Sequence, residues 1–447
     1  MEKKKAAVVG GGLVGALQSV FLAKRGWDVT VFERRGDIRK ANVVAGKSIN
    51  LALSDRGWRA LEMAGVADEI RKEAIAMKGR MVHFKDGHQM FQPYGKEGQA
   101  IYSVSRGGLN QQLLQCADAF DNISLRFDHK CLDLDLDKNE LTFENTSSGQ
   151  IVTERFDHIF GTDGAFSAVR ARLQKTDRFN YSQTYLTHNY KELFIPAGPD
   201  GHYVMDPYSL HIWPRGEYMM IALANPGGSF TVTLFMAHEG SPSFTELNTR
   251  DKATAFFNEQ FADAVSLMPT LLDDFFSNPS ASLVMIKCDP WNISDRVMLM
   301  GDACHAIVPF YGQGMNAGFE DCAEMDQMLN ALGDSPETFE KFARERKPRT
   351  DAILELALRN YIEMRDKTAD PRFILQKKIE ARLAEKYPEL WTPLYSLVTF
   401  SHTPYDEALA AGEAQDRFMD TVLALPDAGT QWESDAFIDR VAQMLRA

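Results

Sequence analysis

Cysteine is scarce and scattered: Cys116, Cys131, Cys288, Cys304 and Cys322 are odd in number and never stand in CxxC spacing. That excludes a disulfide framework and points to free thiols in a reducing compartment. The ten histidines include no HExxH and no Cys/His ligand spacing, so no metal is expected. Long apolar runs are missing as well; nothing approaches the roughly 18–20 residues of a spanning helix. Positive charge is in deficit, with 49 Lys and Arg against 62 Asp and Glu, a net charge of −13. General nucleic-acid binding is therefore disfavoured, because phosphate affinity comes from cations. No repeat or low-complexity tract is visible. Met1-Glu2-Lys3-Lys4-Lys5 runs directly into a strand-like Ala6-Ala7-Val8-Val9 that a glycine cluster interrupts, so no signal peptide is expected. These absences predict a soluble, acidic, cytoplasmic protein.

What is present is ordinary globular material, 45% hydrophobic and 25% charged over 447 residues, enough for two or three units with a large core. Residues 6–9 read as a strand, 13–25 as a helix ended by Gly26, and 28–32 as a second strand. Buried strands are predicted at 157–161 and 297–300. Between them a strand-rich stretch, 180–240, contains a hairpin. Met219, Ile221 and Leu223 alternate on one strand, Thr231, Thr233 and Phe235 on the next, around the turn Asn225-Pro226-Gly227-Gly228-Ser229. From about 315 the pattern is helical, with a break expected at Lys347-Pro348-Arg349.

Gly10-Gly11-Gly12-Leu13-Val14-Gly15 is a GxGxxG between strand and helix, the arrangement that lets a backbone approach a pyrophosphate at a helix N-terminus. Glu33 ends the second strand, where a carboxylate accepts both hydroxyls of an unphosphorylated ribose, suiting FAD or NAD. No second GxGxxG exists, so separate flavin and nicotinamide Rossmann units are not expected. Two further strand ends carry Asp163-Gly164 and Gly301-Asp302, the latter followed by a loop with Gly312, Gly314 and Gly318. A carboxylate at Asp302 can bind a ribityl hydroxyl while the loop amides approach a ring. No Ser/His/Asp or paired-carboxylate constellation stands out.

In this order the three motifs resemble the single-component FAD-dependent aromatic hydroxylases. Within that group the chain is similar, from about residue 5 to 405, to the kynurenine 3-monooxygenase family. The similarity is carried by Lys47-Ser48-Ile49-Asn50-Leu51-Ala52-Leu53-Ser54, Gly79-Arg80-Met81-Val82-His83, Pro93-Tyr94-Gly95 and Leu210-His211-Ile212-Trp213-Pro214. Val308-Pro309-Phe310-Tyr311-Gly312-Gln313-Gly314-Met315-Asn316, Asn360-Tyr361-Ile362-Glu363-Met364 and Tyr395-Ser396-Leu397-Val398-Thr399-Phe400-Ser401 complete it. The resemblance implies an α/β fold: a Rossmann-like FAD-binding domain (1–75, 96–175, 283–345), an inserted mixed β-sheet substrate domain (76–95, 176–282) and a C-terminal helical part (346–447). It implies non-covalent FAD, with NADPH and O2 as co-substrates. L-kynurenine would be hydroxylated at ring C3 through a C4a-hydroperoxyflavin, in tryptophan degradation.

By the same resemblance Arg80, Tyr94, Asn360 and Tyr395 clamp the substrate's amino-acid head. Leu210, Met219, Ile221, Leu223, Thr233, Phe235, Phe310 and Met364 wall its ring. Gly10, Gly12, Val14, Gly15, Glu33, Arg34, Arg35, Ala52, Arg106, Cys131, Asp163, Asp302, Gly314, Met315 and Asn316 bind the cofactor. Gln313 lies near the flavin ring, and His305 is structural. The cofactor does the hard chemistry, so no side-chain nucleophile or base is implied. Membrane-bound relatives carry an apolar anchor after the region matching Phe400; here residues 403–447 are polar, so no integral anchor is expected. A hydroxylase of another anionic aromatic, such as anthranilate or a benzoate, and a non-catalytic flavin-binding redox sensor stay open. So does the oligomeric state, a homodimer included.

Overall fold

The computed structural model describes residues 3–40, 49–96, 98–363 and 370–446. Lys47, Ser48 and Met364 lie outside the described residues.

Ala6, Ala7, Val8 and Val9 are buried, as a strand covered on both faces requires. Their strand, Lys5–Val9, is central to a parallel sheet, paired with Asp28–Phe32 on one side and His158–Gly161 on the other. Val297–Leu299 and Ile123–Arg126 extend that sheet on either side, and Asn292–Ile293 closes one edge antiparallel. The helix Leu13–Lys24 packs behind it, so the expected strand–glycine–helix–strand unit is realised within a residue or two. A small antiparallel sheet of His129–Asp135, Glu140–Asn145 and Ile151–Arg155 covers one side, with Phe143 stacked on Phe32 at 3.8 Å.

A second, seven-stranded sheet runs in the order Ala281–Asp289, Asn180–Ile195, Phe230–Ala237, Met219–Ala224, Ser209–Pro214, Gly79–His83, Gln89–Pro93. It is mixed because Ser209–Pro214 meets Gly79–His83 in parallel, while the remaining pairs are antiparallel. The hairpin alternation gives it two distinct faces. Met220, Ala222, Val232 and Leu234 pack on the helices Arg250–Gln260, Ala262–Val265 and Leu271–Ser277. Met219, Ile221, Leu223, Thr233 and Phe235 share the opposite face, since Met219 pairs with Phe235 and Ile221 with Thr233. Ala281–Asp289 belongs to this sheet, so the inserted unit does not stop at residue 282. Among the described residues the first half of Asn180–Ile195 has no other strand beside it, and Val284 to Asp289 supply its partners.

The helix Pro336–Ile362 runs straight through Pro348, where the sequence predicts a break. An interior proline costs about 3 kcal/mol, and side chains on both flanks offset it. Arg346, fully buried, bonds Glu320 and Asp321 at 2.9 Å each, and Arg349 bonds Glu324 at 2.8 Å. Both sides of the proline are thereby pinned to the neighbouring helix Gly314–Leu332. Past residue 370 the polar tail forms its own small bundle around Ile379, Leu383, Trp391, Met419 and Phe437. Among the described residues no helix is long and apolar enough to cross a membrane.

Candidate active site

The first glycine motif is held by contacts that admit no side chain. Gly10 has φ +103°, and a Cβ there would lie 2.6 Å from the Thr162 carbonyl. At Gly15 a Cβ would lie 1.9 Å from the Gly10 carbonyl. Gly12, where nothing lies within 4 Å, is open, and it begins the helix Leu13–Lys24 with no side-chain cap. The first-turn amides are therefore available to an anion. Glu33 is buried at the end of its strand; one oxygen accepts from the Gly11 amide at 3.0 Å, the other from Arg35 Nε at 2.8 Å. Arg35 is thus tethered to Glu33, and Arg34 beside it is exposed.

A second uncapped helix, Gly314–Leu332, begins at the buried Gln313. It packs so closely on the first that a Cβ on Gly318 would meet Val14 at 2.6 Å and one on Gly301 at 2.9 Å. Gln313 accepts from the Tyr405 hydroxyl at 3.0 Å. Asn316 is a brace: its Oδ1 accepts from the Ser54 amide at 2.9 Å, and its Nδ2 donates to the Ala52 and Gly312 carbonyls at 2.9 and 2.8 Å. That brings Ala52 against Gly312, fixes the glycine loop and commits the Asn316 side chain to the brace. Some other helix starts are capped, Ser105 on Arg106–Asp118 and Ser167 on Ala168–Leu173, while Asp55–Ala64 and Pro336–Ile362 are not.

The two aspartates also differ. Asp163 accepts from the Ala168 amide at 2.6 Å, from the Val169 amide at 3.3 Å and from the Ser167 hydroxyl, so its carboxylate is largely spent on a helix start. Asp302 is solvent-accessible yet makes no hydrogen bond among the described residues, and Arg106 faces it. Burial raises its carboxyl, partly countered by Arg106 and His305. An accessible carboxylate without a donor among the described residues can accept the hydroxyls of a ligand. His305 is bonded through Nε2 to Asp321 at 2.6 Å. Cys131 lies near Asp163, and burial followed by that carboxylate pushes its thiol up to about 12, so it stays neutral.

On the other side of the glycine loop the seven-stranded sheet presents its Ile221 face. Arg80 pairs with Leu210 across the parallel ladder. Its guanidinium stands 5.4 Å from the Tyr94 ring centre and 5.2 Å from that of Tyr395, whose rings stack 5.2 Å apart. Among the described residues no carboxylate pairs with Arg80. Burial opposes its charge, and the phenols of Tyr94, Tyr395 and Tyr311 more than offset this, so the cation persists. Burial pushes all three phenols up, so they remain neutral donors. Phe310 packs on Phe235 at 5.1 Å, and its carbonyl accepts from Asn360 Nδ2 at 2.7 Å. Leu210, Met219, Ile221, Phe235 and Phe310 lie in one apolar cluster with Tyr395. Leu223 joins Tyr94 and Ala52 in a smaller one alongside.

The structure thus places Arg80, Tyr94 and Tyr395 together, with Tyr395 in an apolar cluster that also holds Leu210, Met219, Ile221, Phe235 and Phe310. Tyr311, which the resemblance does not single out, stacks on Tyr395 at 5.7 Å. Its place inside the Phe310–Gly312 motif was the available signal.

Residues 3–357 match the FAD binding domain family. Kynurenine 3-monooxygenase of Flavobacterium psychrophilum is 49% identical, covering 100% of this chain and 99% of that protein. The enzymes of that name from Myxococcus xanthus and Dictyostelium discoideum are 44% and 43% identical, covering 100% and 94% of this chain and 95% and 93% of theirs. The chain belongs to the kynurenine 3-monooxygenase family. A solved structure of 2-methyl-3-hydroxypyridine-5-carboxylic acid oxygenase superposes with a TM-score of 0.67 at 18% identity, covering 83% of this chain and 95% of that one, and so shares the fold. The cofactor is FAD, and the residues fit it. The uncapped turn after Gly12 suits the pyrophosphate, Glu33 the ribose, Asp302 the ribityl chain, and the Gly314–Asn316 amides the flavin ring.

Proposed function

We propose that the protein is an NADPH-dependent flavin monooxygenase that places one oxygen atom on C3 of the L-kynurenine ring. One O2, one NADPH and one proton are consumed, and water, NADP and 3-hydroxykynurenine are formed. The observation that carries this is Arg80, a sheltered cation without a carboxylate partner among the described residues, beside the loop that would carry the cofactor. A buried charge left unpaired is costly unless a ligand completes it. Kynurenine supplies a carboxylate at one end and an aromatic amine at the other.

Arg80 binds the carboxylate with its guanidinium fork, and the neutral hydroxyls of Tyr94 and Tyr395 add donors. Asn360 holds the Phe310 carbonyl and so sets where the Phe310 ring lies. Leu210, Met219, Ile221 and Phe235 receive the substrate ring and exclude water around it. Bound flavin, reduced by NADPH, supplies the activated oxygen. The ring amine makes C3 nucleophilic, so the protein needs orientation rather than a nucleophile of its own. The scattered, unpaired thiols and the polar tail support a cytoplasmic location.

Purified, FAD-loaded protein tests this directly. Addition of L-kynurenine should accelerate NADPH oxidation and O2 uptake, with 3-hydroxykynurenine accumulating. Stimulation by anthranilate or a benzoate but not by kynurenine would refute the substrate. No stimulation by any aromatic would refute catalysis.

A further inference from the structure

The motifs around Arg80 and Leu210 each carry a histidine, His83 and His211, that the substrate site does not use. Both are buried on the back of the sheet. His211 Nε2 lies 2.8 Å from the Asp206 carbonyl, which can only accept, so that nitrogen carries a proton. Burial holds the His211 ring down to about 4 against the pull of that carbonyl, leaving Nδ1 bare at neutral pH. His211 Nδ1 is 2.9 Å from His83 Nε2, which must therefore donate. At the other side of the ring, His83 Nδ1 is 3.0 Å from the Asp263 carboxylate. Burial pushes Asp263 up, but its bonds from His83 and Trp213 outweigh this and hold it below the usual range, so it is an anion. Both nitrogens of His83 therefore donate.

We propose that His83 is held as a buried imidazolium that fastens the hairpin bearing Arg80 and Tyr94 to the body of the substrate sheet, making it a positioning residue for the substrate carboxylate. That hairpin is the sheet's edge. Its outer strand, Gln89–Pro93, is exposed throughout, and its inner strand joins Ser209–Pro214 by a short parallel ladder running from Gly79–Ser209 to Val82–Ile212. Behind the ladder, the His83 ring stacks on Trp213 at 4.0 Å, Trp213 Nε1 donates to Asp263 at 2.8 Å, and Arg215 donates to the His83 carbonyl at 2.9 Å. Asp263 and His211 are the charged or titratable groups bonded to the ring. Arg215 adds a cation nearby, the Asp206 carboxylate is engaged by Ser209, and Lys85–Glu259 and Asp86–His88 pair at the surface. Loss of the second proton leaves either His211 Nδ1 or Asp263 without its donor and loosens the strand that aims Arg80.

This inference rests on Arg80 holding the carboxylate, and the experiment separates the two. FAD-loaded enzyme carrying nitrogen-labelled histidine is studied by long-range imidazole correlations, with His83→Gln identifying the His83 signals. Both His83 nitrogens should be protonated at neutral pH and one of His211's. L-kynurenine Kd, read from the flavin absorbance change, should weaken about fivefold in His83→Gln, the lower end of ordinary coupling between sites, with kcat at saturating kynurenine retained. A bare His83 nitrogen at neutral pH overturns the imidazolium even if the variant does not fold. Unchanged Kd in folded, FAD-replete His83→Gln, alongside weakened Kd in Arg80→Met, overturns the fastening alone. Unchanged Kd in both variants overturns the carboxylate site as well.

Discussion

Arg80→Met replaces the unpaired cation of the substrate clamp with an apolar chain of similar reach. Charge-assisted hydrogen bonds contribute roughly 1.5–3 kcal/mol, so kcat/KM for L-kynurenine should fall by about one to two decades. The loss should lie mainly in KM, because the carboxylate contact is equal in ground and transition states. Without substrate the variant should melt close to wild type, since Arg80 has no acidic partner among the described residues and the surrounding phenols offset the cost of its burial. The difference appears on adding substrate. Kynurenine at about 100 times the wild-type Kd stabilises wild type by about 2.7 kcal/mol, whereas a variant binding about thirtyfold more weakly gains only about 0.9 kcal/mol. Thermal melts with and without kynurenine, plus steady-state kinetics, measure both. A descarboxy analogue should react alike with the two proteins. Wild-type KM and wild-type ligand stabilisation in Arg80→Met would refute the clamp, leaving Tyr94, Asn360 and Tyr395 to anchor the head.

Glu33→Arg should reduce FAD retention on desalting, because it replaces the ribose acceptor and breaks the bond to the Gly11 amide; a full flavin complement would remove Glu33 from the site. Acid precipitation should release the flavin to the supernatant, and colour that stays with the pellet would contradict non-covalent binding. Burial pushes Glu320 and Asp321 up, but Arg346, with Arg56 and His305, more than offsets it and holds both below the carboxylate range. Their stability contribution is therefore present above the unfolded carboxylate pKa and lost as pH falls through the folded one, so the melting temperature should drop on the acid side. Arg346→Met removes the cation that Glu320 and Asp321 share, leaving only Arg56 and His305 as their charged partners, and should cost about 3–5 kcal/mol at neutral pH; a melt within a degree or so of wild type would refute the network's importance.

Local features were legible in the sequence and assembled ones were not. GxGxxG, Glu33 and the Met219–Ile221–Leu223 alternation announce themselves because backbone geometry and strand period act over a few residues. Arg80 is singled out only by resemblance, because its setting between Tyr94, just past the next strand, and Tyr395, from a distant helix, arises from the assembled fold. Pro348 misleads because the buried partners of Arg346 and Arg349 override its local preference. Ala281–Asp289 crosses the expected boundary because strand pairing, which spacing does not reveal, claims it for the substrate sheet. Asn316 is suggested as a cofactor ligand by its motif, yet its side chain braces the loop to Ala52 and Ser54.

The central claim, that this fold inserts one atom of O2 into kynurenine, is tested most directly with isotopically heavy O2. FAD-loaded enzyme turning over L-kynurenine with NADPH under the labelled gas should give 3-hydroxykynurenine carrying one heavy oxygen at C3. Label-free product, or NADPH consumed to peroxide with kynurenine recovered intact, would contradict it.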